Sequence, residues 1–319
     1  MSQLEKVVVT GGAGFIGSNL VDALIEQGKE VHVIDNFSTG RREFLNPKAE
    51  LHELDLCDES ETLGAIVNGA DSVYHLAANA DVRFGMTDIK RDINQNVIAT
   101  LRVAQACAEN TVKEVIFSST GAVYGDAVQH PTPETAQFPI QTSLYGVSKT
   151  AAEGVLSTFA ANGLFHVCAF RFVSVLGHRY MHGHVIDFVR QLHQDPSALT
   201  VLGDGSQRKS YMDVKDCVRA LVTLRGAQGF EVFNLGADDY CTVRDSVAWI
   251  TQAMGVEPKI SYGIEKRGWV GDNPFTWLDV SKAKNHGWVA EKSISHSVQG
   301  TVSWLLENTW ALAVQDFRK

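Results

Sequence analysis

The chain has 319 residues, of which 45% are hydrophobic and 20% charged, and its formal net charge is −9. This length exceeds one minimal domain and predicts a large α/β domain with a smaller partner. The composition is typical of a folded protein with a sizeable core. No basic block stands out in the sequence, which argues against a nucleic-acid partner.

Cysteine use and the N-terminus indicate the compartment. Five cysteines lie far apart without any CxxC pair, at Cys57, Cys107, Cys168, Cys217 and Cys241. This spacing predicts free thiols in a reducing compartment. The N-terminus runs directly into a β-branched apolar stretch, and no apolar run is long enough to span a bilayer. We therefore expect a soluble, cytoplasmic protein with no membrane partner.

The first half of the chain alternates short apolar runs with amphipathic stretches. Predicted strands cover residues 6–10, 30–34, 51–54, 72–76, 114–118 and 165–172. Predicted helices cover residues 16–27, 59–68, 94–109 and 145–162. Because strands alternate with helices and no hairpin signal separates them, we expect an α/β fold with a doubly wound parallel sheet.

After Phe172 the segments become shorter and richer in glycine. This change predicts a smaller C-terminal α/β portion that binds the substrate. Residues 231–234 (EVFN) have the pattern of a strand that returns to the main sheet, so the boundary is not a single cut. We assign residues 1–172 and about 207–240 to the cofactor-binding domain, and residues 173–206 and 241–319 to the substrate-binding portion.

A glycine motif stands between the first predicted strand and the first predicted helix. Gly11, Gly14 and Gly17 have the spacing GxxGxxG. In this setting the first glycine permits a tight turn, the second lets the backbone approach a pyrophosphate, and the third lets the helix pack on the strand. Asp35 ends the second strand, where a carboxylate binds ribose hydroxyls and repels a 2′-phosphate. The pattern predicts an NAD site.

Tyr145 and Lys149 stand four residues apart in one predicted helix and therefore share a face. The pKa of a free phenol is ~10. It must fall by about 3 before the phenol acts as a base at neutral pH, and this fall corresponds to ~4 kcal/mol. A neighbouring ammonium and a positive nicotinamide ring can supply that change. The pair is therefore a candidate catalytic couple.

Together these motifs resemble the nucleotide-sugar epimerase/dehydratase family of extended short-chain dehydrogenases/reductases, across essentially the whole chain. The resemblance is greatest to UDP-sugar 4-epimerases, and it implies a Rossmann domain, bound NAD and a homodimer. The cofactor-binding residues that it implies are Gly11, Gly14, Phe15, Ile16, Gly17, Asp35, Asn36, Asp55, Leu56, Leu76, Ala77, Ala78, Asn96, Ser118, Tyr145, Lys149 and Phe172.

The resemblance also implies catalytic roles. Thr120 hydrogen-bonds the sugar hydroxyl that is oxidised, Tyr145 removes the 4-hydroxyl proton, and Lys149 also holds the nicotinamide ribose. Hydride passes from C4 to NAD, and the fate of the resulting 4-keto sugar defines the enzyme.

The segment after Thr120 distinguishes the possible reactions. In the family's dehydratases it resembles T-D-E-V-Y-G, whose two carboxylates serve as acid and base, and the decarboxylases keep the glutamate. This chain has Gly121 and Ala122 there. Because neither residue can move a proton, elimination is disfavoured and 4-epimerisation is expected.

Two later loops resemble the family's substrate-binding segments. Residues 203–213 (GDGSQRKSYMD) imply a diphosphate contact from Arg208. Residues 267–272 (RGWVGD) imply a second contact from Arg267 and a ribose contact from Asp272. Two arginines suit a pyrophosphate because each guanidinium offers a planar fork of donors.

The chain departs from the family at two substrate-binding positions. Ser174 stands where an asparagine usually contacts the diphosphate, and it has a shorter side chain with one donor fewer. Thr276 stands where 4-epimerases place a gate residue beside the sugar. A small residue there resembles enzymes that admit N-acetylated sugars, so Thr276 favours a roomy pocket.

Three histidines, His178, His182 and His184, fall within seven residues. The resemblance implies no metal, and we expect loop histidines beside the sugar or at a dimer edge.

The predicted helices 94–109 and 145–162 resemble the pair that forms a four-helix dimer interface in the family. Ala151, Ala152 and residues 160–161 favour close packing there.

Three functions stay open from the sequence. The first is NAD-dependent 4-epimerisation of a UDP-hexose or UDP-N-acetylhexosamine. The second is a dehydratase, decarboxylase or 5-epimerase of the same fold that uses carboxylates or histidines from elsewhere. The third is a dinucleotide-sensing regulatory protein without catalysis, against which the intact Thr120, Tyr145 and Lys149 argue.

Overall fold

The computed structural model describes residues 4–58, 61–80, 82, 88–137, 140–269 and 272–313. Two sequence predictions include residues outside these ranges. The first two residues of predicted helix 59–68, Glu59 and Ser60, and Val270 and Gly271 of the segment 267–272 lie outside the described residues.

The strands and helices are numbered in chain order. The strands are β1 (Lys6–Thr10), β2 (Glu30–Asp35), β3 (Glu50–Glu53), β4 (Ser72–His75), β5 (Glu114–Thr120), β6 (His166–Phe172), β7 (Ser174–Leu176), β8 (Ala198–Val201), β9 (Arg208–Lys209), β10 (Tyr211–Asp213), β11 (Phe230–Leu235), β12 (Cys241–Thr242), β13 (Lys259–Tyr262) and β14 (Phe275–Thr276). The α-helices are α1 (Phe15–Glu26), α2 (Thr62–Val67), α3 (Ile89–Asp92), α4 (Ala99–Glu109), α5 (Leu144–Ala161), α6 (His184–Gln194), α7 (Val214–Thr223), α8 (Val243–Met254), α9 (Ser281–Asn285), α10 (Ile294–Glu307) and α11 (Trp310–Ala313). Short 3₁₀ turns cover Arg42–Phe44 and Gly121–Tyr124, and a π-helical segment covers Ile93–Ile98.

Seven strands form the central sheet in the order β3-β2-β1-β4-β5-β6-β11, and every neighbouring pair is parallel. The predicted doubly wound parallel sheet is confirmed. The chain moves outward from β1 to β3 and then returns to place β4 on the other side of β1. Such a reversal opens a crevice at the carboxyl ends of the strands, where ligands bind in sheets of this type.

Alternation along β1 divides the core between the two faces of the sheet. Val7 and Val9 belong to one apolar cluster and Val8 to another, and none of the three is exposed to solvent. Helices α1 and α7 pack against each other on the first face. Helices α2, α4 and α5 contribute to the second cluster. Burial on both faces explains why these strands are continuously apolar in sequence.

One predicted helix is only partly an α-helix in the structure. The sequence predicts a helix over residues 94–109, whereas the structure has the π-helical segment Ile93–Ile98 followed by α4. The wider π turn carries the buried Asn96 toward α5, where its side-chain amide donates to Ser148 Oγ at 2.9 Å. A local widening of this kind is common at functional sites and leaves little trace in an amphipathic pattern.

Helices α6, α8 and α10 pack on one another around a third apolar cluster, with the parallel ribbon β8–β13 beside α6. The predicted return of residues 231–234 to the main sheet is confirmed, since β11 pairs with β6. The domain boundaries stay a prediction. The five cysteines are free, as predicted, and four of them are buried. No helix in the described part of the chain is long and apolar enough to cross a membrane.

Candidate active site

The turn between β1 and α1 requires glycine at two positions. Gly11 has φ +70°, and a Cβ there would lie 2.7 Å from the backbone nitrogen of Ala77. A Cβ on Gly17 would lie 2.1 Å from the carbonyl oxygen of Gly11. The helix cap, Gly14, offers no side-chain hydrogen bond to the first turn of α1. The backbone N–H groups of that turn can therefore bind an anion such as a pyrophosphate.

Asp35 is buried at the end of β2. Its carboxylate accepts hydrogen bonds from the backbone N–H groups of Ala13 at 2.9 Å and Phe37 at 2.8 Å. Burial raises the pKa of this carboxyl, although the two hydrogen bonds oppose the rise. Its remaining lone pairs can accept from ribose hydroxyls, and its charge repels a 2′-phosphate. The residues present therefore fit NAD.

A cavity of about 380 Å³ connects these features. The predicted cofactor residues that line it are Gly11, Gly14, Phe15, Ile16, Gly17, Asp35, Asn36, Leu56, Leu76, Ala77, Ala78 and Ser118. The wall also contains residues that sequence reasoning did not assign to it, among them Arg41, Met181, His182 and Arg190. The last three come from the C-terminal portion of the chain, which the local motifs did not connect to this cavity.

The other predicted cofactor residues lie around this cavity rather than on its wall. Asp55 accepts a hydrogen bond from the Asn36 side chain at 2.8 Å and so orients a residue that does line it. Asn96 accepts from the backbone N–H of Asn79 at 2.8 Å. Phe172, like Tyr145, lines a second cavity, described next, and Lys149 is buried behind it.

The second cavity has a volume of about 1450 Å³, and the catalytic candidates Thr120 and Tyr145 both line it. Thr120 is the last residue of β5, and Tyr145 lies in the first turn of α5, which Ser143 caps by accepting from the Gly146 N–H at 3.1 Å. Burial raises the pKa of Tyr145 to about 12, although its hydrogen bond with the Thr120 side chain opposes the rise. The phenol is therefore protonated and in contact with Thr120.

Lys149 lies one helical turn after Tyr145 and is only 2% exposed. Its Nζ lies 4.2 Å from the centre of the Phe117 ring. Burial lowers the pKa of Lys149 to about 7, although the charge of Glu153 opposes the fall. The side chain is thus close to its titration point at neutral pH.

The segment after Thr120 brings no carboxylate to the cavity. Gly121 and Ala122 line the wall within the 3₁₀ turn Gly121–Tyr124. A Cβ on Gly121 would lie 3.2 Å from the carbonyl oxygen of Phe172, so the space beside this turn is already occupied. The position that holds an acid or base in the resembling dehydratases therefore cannot move a proton here.

Arg208 and Lys209 are neighbours in β9 and point to opposite sides, as successive strand residues do. Lys209 lines the second cavity, with Nζ 2.8 Å from the buried Asp272 carboxylate. Arg208 is exposed, and its guanidinium lies 3.8 Å from the centre of the Phe275 ring. The structure thus brings Lys209, and not the predicted Arg208, to the cavity wall. The two-residue period of a strand indicates that only one of the two neighbours faces the cavity, but it does not indicate which one.

Arg267 also lies away from the cavity wall. Its Nη2 is 2.7 Å from Asp126 Oδ2, and its side chain is 41% exposed. The neighbouring Asp272, together with Ser174 and Thr276, does line the cavity. Of the five predicted substrate contacts beyond Thr120, the structure therefore brings three to the cavity and leaves both arginines outside it.

The three clustered histidines separate in the structure. His182 and His184 line the second cavity, and His184 Nε2 lies 2.8 Å from Ser246 Oγ. In the described part of the chain, these two and His178 do not bring three ligand atoms together. The histidines are instead aromatic and polar parts of the cavity wall, apart from His178, which does not line it.

A buried ion pair holds α5 behind the site. Glu153 receives two hydrogen bonds from the Arg171 guanidinium, at 3.0 and 2.6 Å, and both side chains are about 95% buried. The guanidinium also donates to the hydroxyl of Tyr124 at 2.8 Å, which in turn donates to Asn234 Oδ1 at 2.8 Å. Ser119 donates to Glu153 as well. The network joins α5, β5, β6 and β11 directly behind Thr120 and Tyr145.

Comparisons with known proteins agree with this geometry. A model of the NAD dependent epimerase/dehydratase family matches residues 7–236 of the chain. A crystal structure of UDP-galactose 4-epimerase is 39% identical with a TM-score of 0.86, covering 96% of this chain and 100% of that one. UDP-glucose 4-epimerase of Thermotoga maritima, solved with UDP-glucose, is 33% identical with a TM-score of 0.88, covering 95% and 99%. UDP-glucuronic acid decarboxylase 1 of Arabidopsis thaliana is 33% identical over 93% of this chain and 69% of that protein.

Proposed function

Because the chain belongs to the NAD-dependent epimerase/dehydratase family, whose cofactor is NAD, we propose that it interconverts the 4-epimers of a UDP-sugar. The observation that carries the proposal is the wall of the second cavity. Thr120 and Tyr145 face it together, while Gly121 and Ala122 occupy the positions where a dehydratase needs carboxylates. Oxidation at C4 is therefore supported, and a following elimination is not.

The mechanism uses few side chains of this protein. Bound NAD supplies the hydride acceptor and, in the return step, the hydride donor. Tyr145 takes the proton of the sugar 4-hydroxyl, Thr120 hydrogen-bonds the same oxygen, and the ammonium of Lys149 stabilises the phenolate. The 4-keto sugar then rotates in the cavity so that its opposite face meets the cofactor. Tyr145 returns the proton to the C4 oxygen, which gives the opposite epimer. A cavity of about 1450 Å³ leaves room for that rotation.

The proposed substrate is a UDP-hexose or a UDP-N-acetylhexosamine. Two of the similar proteins act on UDP-galactose or UDP-glucose by name. Lys209 offers the cavity a cation for the diphosphate, and Thr276 presents a small side chain rather than a bulky gate. Both features favour a nucleotide diphosphate with space beside its sugar.

The second candidate is decarboxylation of a UDP-uronate, which the similarity to a plant UDP-glucuronic acid decarboxylase favours. In the described wall of the second cavity, the carboxylates are Asp187 and Asp272. Each lies near a cation, since Asp187 is 3.6 Å from Arg190 and Asp272 is 2.8 Å from Lys209. They are thus part of ion pairs instead of standing next to Thr120, which makes this candidate the weaker one.

Proton NMR of the purified protein tests the proposal. The protein is incubated with UDP-galactose, UDP-N-acetylgalactosamine or UDP-galacturonate and only trace NAD. We expect conversion to the 4-epimer without net NADH, and its loss in a Tyr145→Phe variant that still binds NAD. Release of CO₂, accumulation of a 4-keto product, or unchanged turnover by the variant would contradict the proposed reaction or the role of Tyr145. Failure of all three substrates would favour another nucleotide or the non-catalytic alternative.

A further inference from the structure

A second cluster of ionisable groups lies on strands β2 and β3, away from both cavities. The parallel register places Glu50 opposite His32 and His52 opposite Ile34, so His32, Glu50 and His52 share one face of the sheet. None of the three lines either cavity. Among the described residues, this is the one group of three metal-capable side chains whose ligand atoms all lie within 4.8 Å of one another.

The two imidazole rings point at each other. His32 Nδ1 and His52 Nε2 lie 3.0 Å apart, the ring centres are 5.3 Å apart, and the ring planes differ by 6°. The centre separation is about the nitrogen separation plus both ring radii, so the rings lie edge to edge in one plane. Each nitrogen therefore directs its in-plane lone pair, or the proton that occupies it, at the other.

Carboxylates complete the cluster on both sides. The Glu50 oxygens lie 3.7 Å from His32 Nδ1 and 3.5 Å from His52 Nε2. The other nitrogen of His32, Nε2, lies 3.0 Å from Glu30 Oε1. Donation from Nε2 to Glu30 leaves the lone pair of His32 on Nδ1, which is the form of the ring that binds a metal, and a carboxylate behind a ligating histidine orients it.

We propose that His32, His52 and Glu50 bind one divalent ion of the zinc class, with Glu30 orienting His32 from behind. Two imidazoles and one carboxylate are a ligand set that zinc prefers, with water as a fourth ligand. Two nitrogens on one tetrahedral ion lie about 3.4 Å apart when each Zn–N bond is about 2.1 Å, so the present 3.0 Å hydrogen-bonded contact must widen, and each ring must turn by roughly 35° before both lone pairs meet at the ion. The ion enters through Glu50, whose side chain is 63% exposed.

The position of the site indicates its role. It joins β3, one of the two edge strands of the sheet, to β2. These strands run on to Asp35 and Leu56, which line the cofactor cavity. A bound ion therefore fixes the edge strand to its neighbour and stabilises the part of the sheet beside the cofactor cavity, and it takes no part in proton or hydride transfer.

The test is metal binding by tag-free protein from which metal has been removed by a chelator. Isothermal titration with Zn²⁺ should show one equivalent bound per chain, and Co²⁺ should give the intense visible absorption of a tetrahedral complex. The His52→Gln and Glu50→Gln variants should each bind at least about tenfold more weakly. The exposed His193→Gln variant, matched in chemistry but remote in the fold, should bind as the wild type does.

Thermal denaturation of the same proteins separates the site from general effects. Because an ion that binds only the folded state stabilises it, Zn²⁺ should raise the melting temperature of the wild type and of His193→Gln. It should leave the melting temperature of His52→Gln unchanged. Failure of the wild type to take up one equivalent, or equal uptake by His52→Gln, would overturn the proposal whether or not the enzyme is a 4-epimerase.

Discussion

At the scale of single residues, the site depends on which neighbour in a short strand faces the cavity. Lys209 and Arg208 are adjacent and both cationic, yet Lys209 lines the cavity and Arg208 covers the Phe275 ring outside it. Sequence resemblance pointed to the arginine because its side chain suits a pyrophosphate. The face of a two-residue strand is decided by its pairing with β12 and β14, which no local pattern contains.

This placement predicts unequal effects of two matched substitutions. Lys209→Gln should raise KM for the UDP-sugar by about tenfold, because it removes a charge-assisted contact worth roughly 1.5 kcal/mol. Arg208→Gln should change KM by less than about twofold, since its guanidinium faces away from the cavity. Steady-state kinetics of both variants, with melting temperatures to verify folding, make the comparison. A larger effect at Arg208 would restore the sequence-based assignment.

At the scale of elements, α5 carries Tyr145 and Lys149, the proposed catalytic pair, and a buried ion pair fixes it from behind. The sequence predicted this helix almost to the residue, because the spacing of Tyr145 and Lys149 and the apolar positions agree with one period. It did not predict the ion pair of Glu153 with Arg171, which lies on β6 in the next predicted element. Two buried charges are stable there because they bond each other and because Tyr124 and Ser119 satisfy further hydrogen bonds.

Breaking this ion pair should destabilise the fold. Glu153→Gln leaves the Arg171 guanidinium buried without its counter-charge, which costs about 3 kcal/mol of unfolding free energy. Urea denaturation measures the loss by linear extrapolation. The exposed Glu109→Gln variant on α4 is the matched control and should stay within about 0.5 kcal/mol of the wild type. Equal stability of the two variants would show that the pair contributes little.

The parts that sequence did not predict share a cause. Gly17 is constrained by the carbonyl oxygen of Gly11, six residues earlier, and Gly11 by its own positive φ, so a short motif predicts both. Three other features depend on packing between distant segments. They are the π-helical segment Ile93–Ile98, the exposure of Arg267, and the convergence of His32 with Glu50 and His52. Periodicity and spacing describe one element at a time and contain no such information.

At the scale of the whole molecule, the assembly into a homodimer stays a proposal. The alanines expected at the interface divide into two kinds. Ala152 and Ala160 are buried in the chain's own core, so they pack α5 onto the sheet and cannot meet a partner. Ala151 and Ala161 are exposed on α5, and Val147, one turn before Ala151, is 39% exposed. A partner helix can approach the exposed face around Ala151 closely because its side chains are small.

A charge on that face should prevent dimerisation. We expect the wild type to sediment at twice the 34.9 kDa of one chain, and Ala151→Glu to sediment as a monomer, because the substitution buries an unpaired carboxylate between the helices. Ala253→Glu, on the exposed face of α8, is the control and should remain dimeric. Sedimentation velocity distinguishes the species. A monomeric wild type, or a dimeric Ala151→Glu variant, would contradict this arrangement.

The late return of β11 to the sheet affects how the chain emerges from the ribosome. Until β11 has been synthesised, β6 has a partner only on the side of β5, and its other edge exposes a row of unpaired backbone groups. The strand sequence His166–Phe172 (HVCAFRF) is largely apolar, and such an open edge can pair with other nascent chains. The interval lasts while residues 173–229 are added, on the order of seconds at about 5–20 residues per second. The order of the strands along the chain thus leaves this edge open to such pairing for the whole of that interval.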